Sequence, residues 1–517
     1  MVQLKQQSFS AYLHERYGLA ANGQLTDFLS RRDGQLLLGD VVNLNELARR
    51  YGAPLEVVYC PQISNQVQRM LAWAASARNH TEYSGAFLYA YATKANFAAE
   101  AVQTALDAGA HYETSAAADV EIAHYLWQQG ILPADRLICC NGSKEPHYLA
   151  AITNLRVAGC DTVIPVLDDL DELTALLDTP QPLRFGVRER AAGNRDGLHP
   201  GNDRFGLSEN EIDQAAARIA GSPHRLELYH AMIGSQIEDE AHFLNTLRAS
   251  VEHYCRLRRQ VPTLRYFNFG GGMPTSGYSL GFAFDYEGFL RKLMQTVRDT
   301  CADYAVPMPD LIGEFGRYTV ATHSLYLLEV GQTKPGPAGD ADWYLLNGSL
   351  MVSLPDSVLV PNQEFVILPL EGWERPVQPA RLAGRRTCDS DDVYPRPGRA
   401  PLMLPQAGGH GQILAFCGVG AYQQMISGRG GAHHCLNPEP QRIVIRKVGG
   451  RLTSSYMPAQ SRAMMMQLLG YGPRRMPEPL VIEDPQEANA ASLPLHIDVA
   501  PRVNGRRRTG GQRRLER

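Results

Sequence analysis

The chain has 517 residues, too many for one ordinary domain and enough for a large barrel with a second domain. Apolar residues make up 44% and charged residues 20%, a globular mix that excludes disordered and fibrous classes. The formal net charge is −4, but residues 501–517 alone hold seven Arg and one Glu, so the rest of the chain is acidic and lacks the basic footprint of a nucleic-acid binder.

No stretch approaches the roughly 18 consecutive apolar residues of a membrane span. The opening MVQLKQQSFSAYLHERYG has no basic-then-apolar run, so no secretory signal is expected. Nine cysteines without any CxxC give neither a disulfide framework nor a zinc module, and a soluble, cytoplasmic location is expected. Only six lysines (Lys5, Lys94, Lys144, Lys292, Lys334 and Lys447) stand against 44 arginines. Chemistry that needs a primary amine has few candidates.

In chain order, residues 1–30 form an amphipathic lead-in, and Arg32-Asp33-Gly34-Gln35 is a hairpin signal. Residues 45–51 read as a short helix stopped by Gly52 and Pro54, and residues 55–59 as a strand. Residues 1–60 are expected to contribute to a β-domain. From about residue 85, apolar runs end at AFLYAYATK (86–94), AHYETS (110–115), LICCN (137–141), TVIPVLD (162–168), LRFGVRE (183–189), RLELYH (225–230), RYFNFGG (265–271) and DLIGEFGR (310–317). Helix-length segments such as 96–108, 237–259 and 286–303 separate them. Eight such units suit a (β/α)8 TIM barrel over 61–320 of an α/β protein, although an open doubly wound sheet permits the same alternation. Most runs end in a polar residue or glycine: Lys94, Glu113, Asn141, Asp168, Arg188, His230, Gly270 and Glu314. C-terminal strand ends are where barrel active sites form.

Past residue 320, strand-like runs (324–330, 343–346, 364–368, 412–416, 442–448) alternate with Pro/Gly turns, which predicts a C-terminal β-domain over 321–470. Residues 395–411 read as a loop. The Pro-, Glu-, Ala- and Arg-rich stretch 471–517 is expected to be a disordered tail.

Lys94, in Tyr91-Ala92-Thr93-Lys94-Ala95-Asn96, ends an apolar strand. Burial there would lower its pKa and free the amine to form a Schiff base; a lysine that merely snorkels to the rim is the plainer alternative. Gly270-Gly271-Gly272 removes side chains where backbone N–H groups can hold a phosphate, and Glu314-Phe315-Gly316-Arg317 offers an acid and a guanidinium together. Ser235 and Tyr422 each offer a hydroxyl. A lysine, a phosphate cradle and an acid for a pyridine nitrogen are the parts a pyridoxal phosphate site needs.

These residues also carry a resemblance. YATKAN, IGSQ, GGG, EFGR, TCDSDD and GAYQ, in this order, resemble the fold-type III pyridoxal-phosphate decarboxylases of basic amino acids, an alanine racemase-like group that includes ornithine, diaminopimelate and biosynthetic arginine decarboxylases. SLMVSLPDS (349–357), ILPLEGW (367–373) and TCDSDD (387–392) are most similar to the arginine branch, and the resemblance runs from about residue 33 to 450. It implies that Lys94 holds the cofactor, and that Gly270, Gly271, Gly272, Arg317, Ser235 and Tyr422 bind its phosphate. Glu314 would face the pyridine nitrogen, with Glu113 and Arg188 supporting the ring. Cys388, from the partner subunit, would return a proton to the reacting carbon, and Asp389 would receive the distal cation of the substrate. Arg204 and Asp392 would bridge a head-to-tail homodimer with shared active sites.

The sequence departs from the family at four places. His230-Ala231-Met232-Ile233-Gly234-Ser235 puts Met232 where the family stacks an imidazole on the ring, and His230 two residues earlier. Phe315 replaces a usual Pro, Asn268 replaces an Asp, and Asn347 stands where ornithine decarboxylases use an acid to hold the substrate amine. Arginine is the expected substrate; ornithine, lysine or diaminopimelate, and a non-catalytic decarboxylase-like subunit, remain the alternatives. His433-His434-Cys435 has no second pair to complete a metal site, so no metal is expected. The Arg506-Arg507-Arg508 tail is read as a solvated end, with neither nucleic acid nor membrane as partner.

Overall fold

A computed structural model describes residues 7–19, 23–190, 204–234, 237, 239–337, 340–360, 363–387, 389–406 and 411–471. Eight parallel strands close into a barrel: Phe87–Ala92, His111–Thr114, Ile138–Cys140, Val163–Leu167, Arg184–Arg188, Arg225–His230, Tyr266–Asn268 and Asp310–Phe315. All eight expected runs are present, each paired with the next in sequence. The last pairs with the first, from Leu311 opposite Phe87 to Phe315 opposite Tyr91, which excludes the open sheet. The strands are short and buried on both faces; Val163–Leu167 has no exposed residue. Helices such as Pro61–Thr81, Glu240–Gln260 and Tyr286–Asp303 pack outside and against one another.

Two helices start later than the sequence suggests. Helix Ala99–Asp107 begins past Asn96, because Asn96 is extended and its Nδ2 donates to Gly420 O at 2.9 Å. Helix Glu240–Gln260 begins after Asp239, whose side chain caps His242 N, while Ile237 N donates to Gly272 O at 2.9 Å.

A ten-stranded mixed sheet forms the second layer. Strand Leu55–Tyr59 lies inside it, antiparallel to Ser324–Lys334 and parallel to Gln441–Val448. The segment 395–411 is not all loop: Leu402–Pro405 is a strand antiparallel to Val377–Gly384. The latter strand contains Pro379 and escaped the sequence reading. Pro379 is tolerated because it precedes 380–384, the stretch that pairs with Asp342–Leu346. The expected tail lies outside the described residues, apart from Tyr471.

A buried charge cluster joins the two layers. Arg442, on the sheet, lies 2.9 Å from Glu56 of the same sheet and contacts Glu100 on barrel helix Ala99–Asp107. Burial raises the Glu100 carboxyl, but Arg442 and Arg429 outweigh it and hold the pKa down at about 2. Arg442→Met would leave two buried carboxylates short of their counter-charge. Denaturant unfolding should show a loss of about 3–5 kcal/mol, against about 0–1 kcal/mol for Lys292→Met at the exposed Lys292–Glu240 pair.

Candidate active site

The C-terminal strand ends converge on two adjoining cavities, of about 840 Å³ and about 140 Å³, that share Lys94, Met232 and Glu314. Glu113, Asn141, Asp168, Arg188 and His230 are among the polar residues lining the larger one. Gly271, Gly272, Arg317 and Tyr422 line the smaller one. Lys94 sits in the short 3-10 turn Thr93–Ala95 and opens into the cavity. Thr93 Oγ1 donates to Glu113 O at 3.0 Å, and Tyr91 OH to Asn96 O at 2.5 Å, which fixes the turn. Tyr422 N donates to Ala95 O at 2.7 Å, so the Gly420-Ala421-Tyr422 turn is fastened to the lysine turn. Tyr422 has φ +66°, a left-handed conformation that a tyrosine adopts only when its surroundings impose it.

Asn141 Nδ2 bridges the two carboxylates, donating to Glu113 Oε1 and to Glu314 Oε1 at 2.8 Å each. Asn268 Nδ2 adds a bond of 2.6 Å to the same Glu314 oxygen. Two acids this close and this buried do not ionise alike. Burial and the Glu314 charge push Glu113 up to about 8. Burial also acts to raise Glu314, but His230, Asn141, Asn268 and Lys94 together hold it below its ordinary value. The Glu113 carboxylate acts on Lys94 more strongly than burial does and raises its pKa. This corrects the expectation that burial would lower it: the acid supplies the counter-charge within the same wall.

The triple glycine is a cradle no side chain could share. A Cβ at Gly270 would meet Met232 Sδ at 2.6 Å, one at Gly271 the Glu314 carbonyl at 2.6 Å, and one at Gly272 the Gly234 carbonyl at 2.8 Å. Arg317 faces the cavity between Tyr278 and Tyr422, its guanidinium 4.5 Å from the Tyr422 ring centroid, and Tyr278 OH accepts its N–H at 2.9 Å.

Residues 68–321 match the family model "Pyridoxal-dependent decarboxylase, pyridoxal binding domain". The barrel is similar to that domain over just under half of the chain. Its cofactor is pyridoxal phosphate, and the cradle, the arginine, the buried acid and the lysine on one cavity fit that group. A biosynthetic arginine decarboxylase of Vibrio vulnificus is 26% identical over 391 residues, 69% of this chain and 56% of that protein. The match thus spans little more than half the length of this relative. Another, from Deinococcus radiodurans, is 24% identical and covers 80% of this chain and 79% of its own. Among solved structures, the biosynthetic arginine decarboxylase of Campylobacter jejuni superposes with a TM-score of 0.74 at 18% identity, covering 89% of this chain and 90% of its own. Diaminopimelate decarboxylase of M. jannaschii gives 0.71 at 20% identity, covering 88% and 99%. These likenesses show the fold.

Not every expected residue reaches the cavity. Ser235 and Cys388 lie outside the described residues. Asn347 is a correction: it is absent from both cavity walls, with Nδ2 donating to Ala53 O at 2.9 Å and Oδ1 accepting from Glu329 N at 3.0 Å. Asp392 is buried within its own chain, accepting from Met351 N at 2.8 Å and from Thr387. Arg204 lines the larger cavity over the Phe205 ring. Asp389 stands off both cavities, its Oδ2 2.6 Å from His434 Nε2. Asn141 was given no role from sequence; its only signal was its place at a strand end.

Glu113 makes a pH prediction. Between the ordinary carboxyl pKa and about 8, the folded protein holds a proton that the unfolded chain has released, so stability falls as pH rises. Glu113→Gln does not titrate. Prepared without cofactor, this variant should gain stability over the wild type from pH 6.5 to 8, by at most about 1.4 kcal/mol per pH unit in matched unfolding curves. A constant difference across that range would refute the raised carboxyl.

Proposed function

We propose that this protein is a pyridoxal-phosphate-dependent α-decarboxylase of a basic amino acid, with arginine, giving agmatine and CO₂, as its substrate. The observation that carries the reading is the convergence of Lys94, Gly271, Gly272, Glu314 and Arg317 on one cavity at the barrel mouth. When bound, the cofactor supplies the electron sink that lets a carboxylate leave the α-carbon. Lys94 Nζ would hold it, Arg317, Ser235, Tyr422 and the glycine backbone its phosphate, and Glu314 its ring nitrogen. Glu314 suits that task because it stays ionised away from water. Glu113 and Arg188 would flank the ring. Met232 offers the ring a thioether contact in place of an imidazole.

The choice of arginine rests on the relatives from V. vulnificus and D. radiodurans, both named biosynthetic arginine decarboxylases. We assign the protein to the cytoplasm as a homodimer. Its seven buried described cysteines are thiols, as in a reducing compartment, and no described helix is long and apolar enough to cross a membrane. In the dimer, Cys388 would return the proton to the α-carbon and Asp389 would bind the distal cation, each from the partner subunit.

Borohydride reduction of the loaded protein followed by peptide mapping should place a pyridoxyl group on Lys94; a label on any other lysine refutes the assignment. Release of CO₂ should be fastest from arginine when arginine, ornithine, lysine and diaminopimelate are compared at equal concentration. Mixing Lys94→Ala with Cys388→Ala should restore part of the activity that each lacks, because one site of a hybrid dimer keeps both residues. Mixtures that exchange subunits yet stay inactive would put the whole site in one chain.

A further inference from the structure

His230 is a buried polar side chain of the cavity wall to which the proposed chemistry gives no task. It ends strand Arg225–His230, in register with Arg188 on one side and Asn268 on the other, and is 2% exposed. Neither ring nitrogen has a hydrogen-bond partner, although both are buried. Native proteins rarely leave a buried imidazole unsatisfied, and such a group calls for a reason. Its Nε2 lies 3.9 Å from Glu314 Oε2. Glu314 Oε1 is already taken by Asn141 and Asn268, so Oε2 is the oxygen that remains for a ring nitrogen. The charged groups facing His230 are Glu314, Arg188, Lys94 and Glu189. Burial brings its own pKa down to about 4, so at neutral pH the ring carries one N–H donor and no charge.

We infer that His230 is a positioning residue for the cofactor: its neutral imidazole closes on Glu314, donates Nε2–H to Oε2, and keeps that carboxylate ionised and aimed at the ring nitrogen. The inference rests on the pyridoxal phosphate reading above and extends it. It also accounts for a departure in the sequence. The thioether of Met232 can pack on the ring but donates no hydrogen bond, and the donor stands two residues earlier, at the end of the strand and near the acid. A neutral donor suits a site that already holds Lys94 and Arg188, where an imidazolium would be repelled by both.

Two variants separate this role from mere filling of space. His230→Phe keeps a ring and removes the donor, whereas His230→Gln keeps an N–H without the ring; His230→Leu serves if the phenylalanine variant does not fold. The readouts are pyridoxal phosphate affinity by fluorescence titration and the pH midpoint of the absorbance band of the loaded protein. Losing a hydrogen bond to a charged group should weaken cofactor binding at least about 10-fold in His230→Phe. The midpoint should move up by about one pH unit as Glu314 becomes easier to protonate. His230→Gln should recover most of both, with the melting temperature of the cofactor-free protein close to wild type in each case. Wild-type affinity and an unmoved midpoint in His230→Phe would overturn the inference, as would equal losses in the Phe and Gln variants. A wild-type protein that binds no pyridoxal phosphate would overturn the functional reading and this inference together; binding that is indifferent to residue 230 overturns only the latter.

Discussion

Closure of the barrel is the constraint on which the site depends. Lys94 follows the first strand and Glu314 ends the eighth, 220 residues later. Only the pairing of Asp310–Phe315 with Phe87–Ala92 brings them to one cavity. The register matters as much as the pairing. Phe315 lies opposite Tyr91, so the lysine turn and the start of helix Arg317–Val320 leave the barrel at the same level. A slip of one residue would turn Glu314 from the cavity to the outer wall, because successive side chains of a strand alternate between faces.

Within that frame, the electrostatics come from sharing. One carboxamide, Asn141, gives its two N–H groups to two acids that would otherwise repel each other out of water. The pair divides unequally: Glu314, with Asn268 as a further donor, takes the charge, and Glu113 keeps its proton more readily. Glu113, Tyr422 and Glu314 together outweigh burial and raise the pKa of Lys94, and with Glu314 ionised the cavity can present an acid on one side and an ammonium on the other. The substitution of Asp by Asn at 268 takes its meaning from this network. An acid there would face Glu314 at hydrogen-bond distance, whereas the amide donates to it.

The second layer contributes through anchoring. The Arg442–Glu56–Glu100 cluster ties the sheet to a barrel helix, and Tyr422, which enters the smaller cavity, rides on a turn bonded to Ala95. Asp389 belongs to the same layer but lies beside His434, off both cavities.

The sequence determined the eight strand–helix units, because buried parallel strands need apolar runs with helix-length spacers and that periodicity is local and countable, whereas closure into a barrel was decided by the pairing of the last strand with the first. The sequence also determined most of the cavity wall. Barrel sites form at C-terminal strand ends, so Lys94, Glu113, Asn141, Arg188, His230 and Glu314 could be read in order. Strand Val377–Gly384 was hidden by Pro379, since its pairing depends on where a distant strand begins. The state of Lys94 and the shared role of Asn141 were decided by tertiary structure alone. A pKa is set by which charges stand opposite across the barrel, and a hydrogen bond between residues 141 and 314 has no trace in either segment. The same holds for Asn347 and Asp392, whose residue types suited a binding role: their side chains are consumed by backbone groups and a hydroxyl that folding brought alongside them.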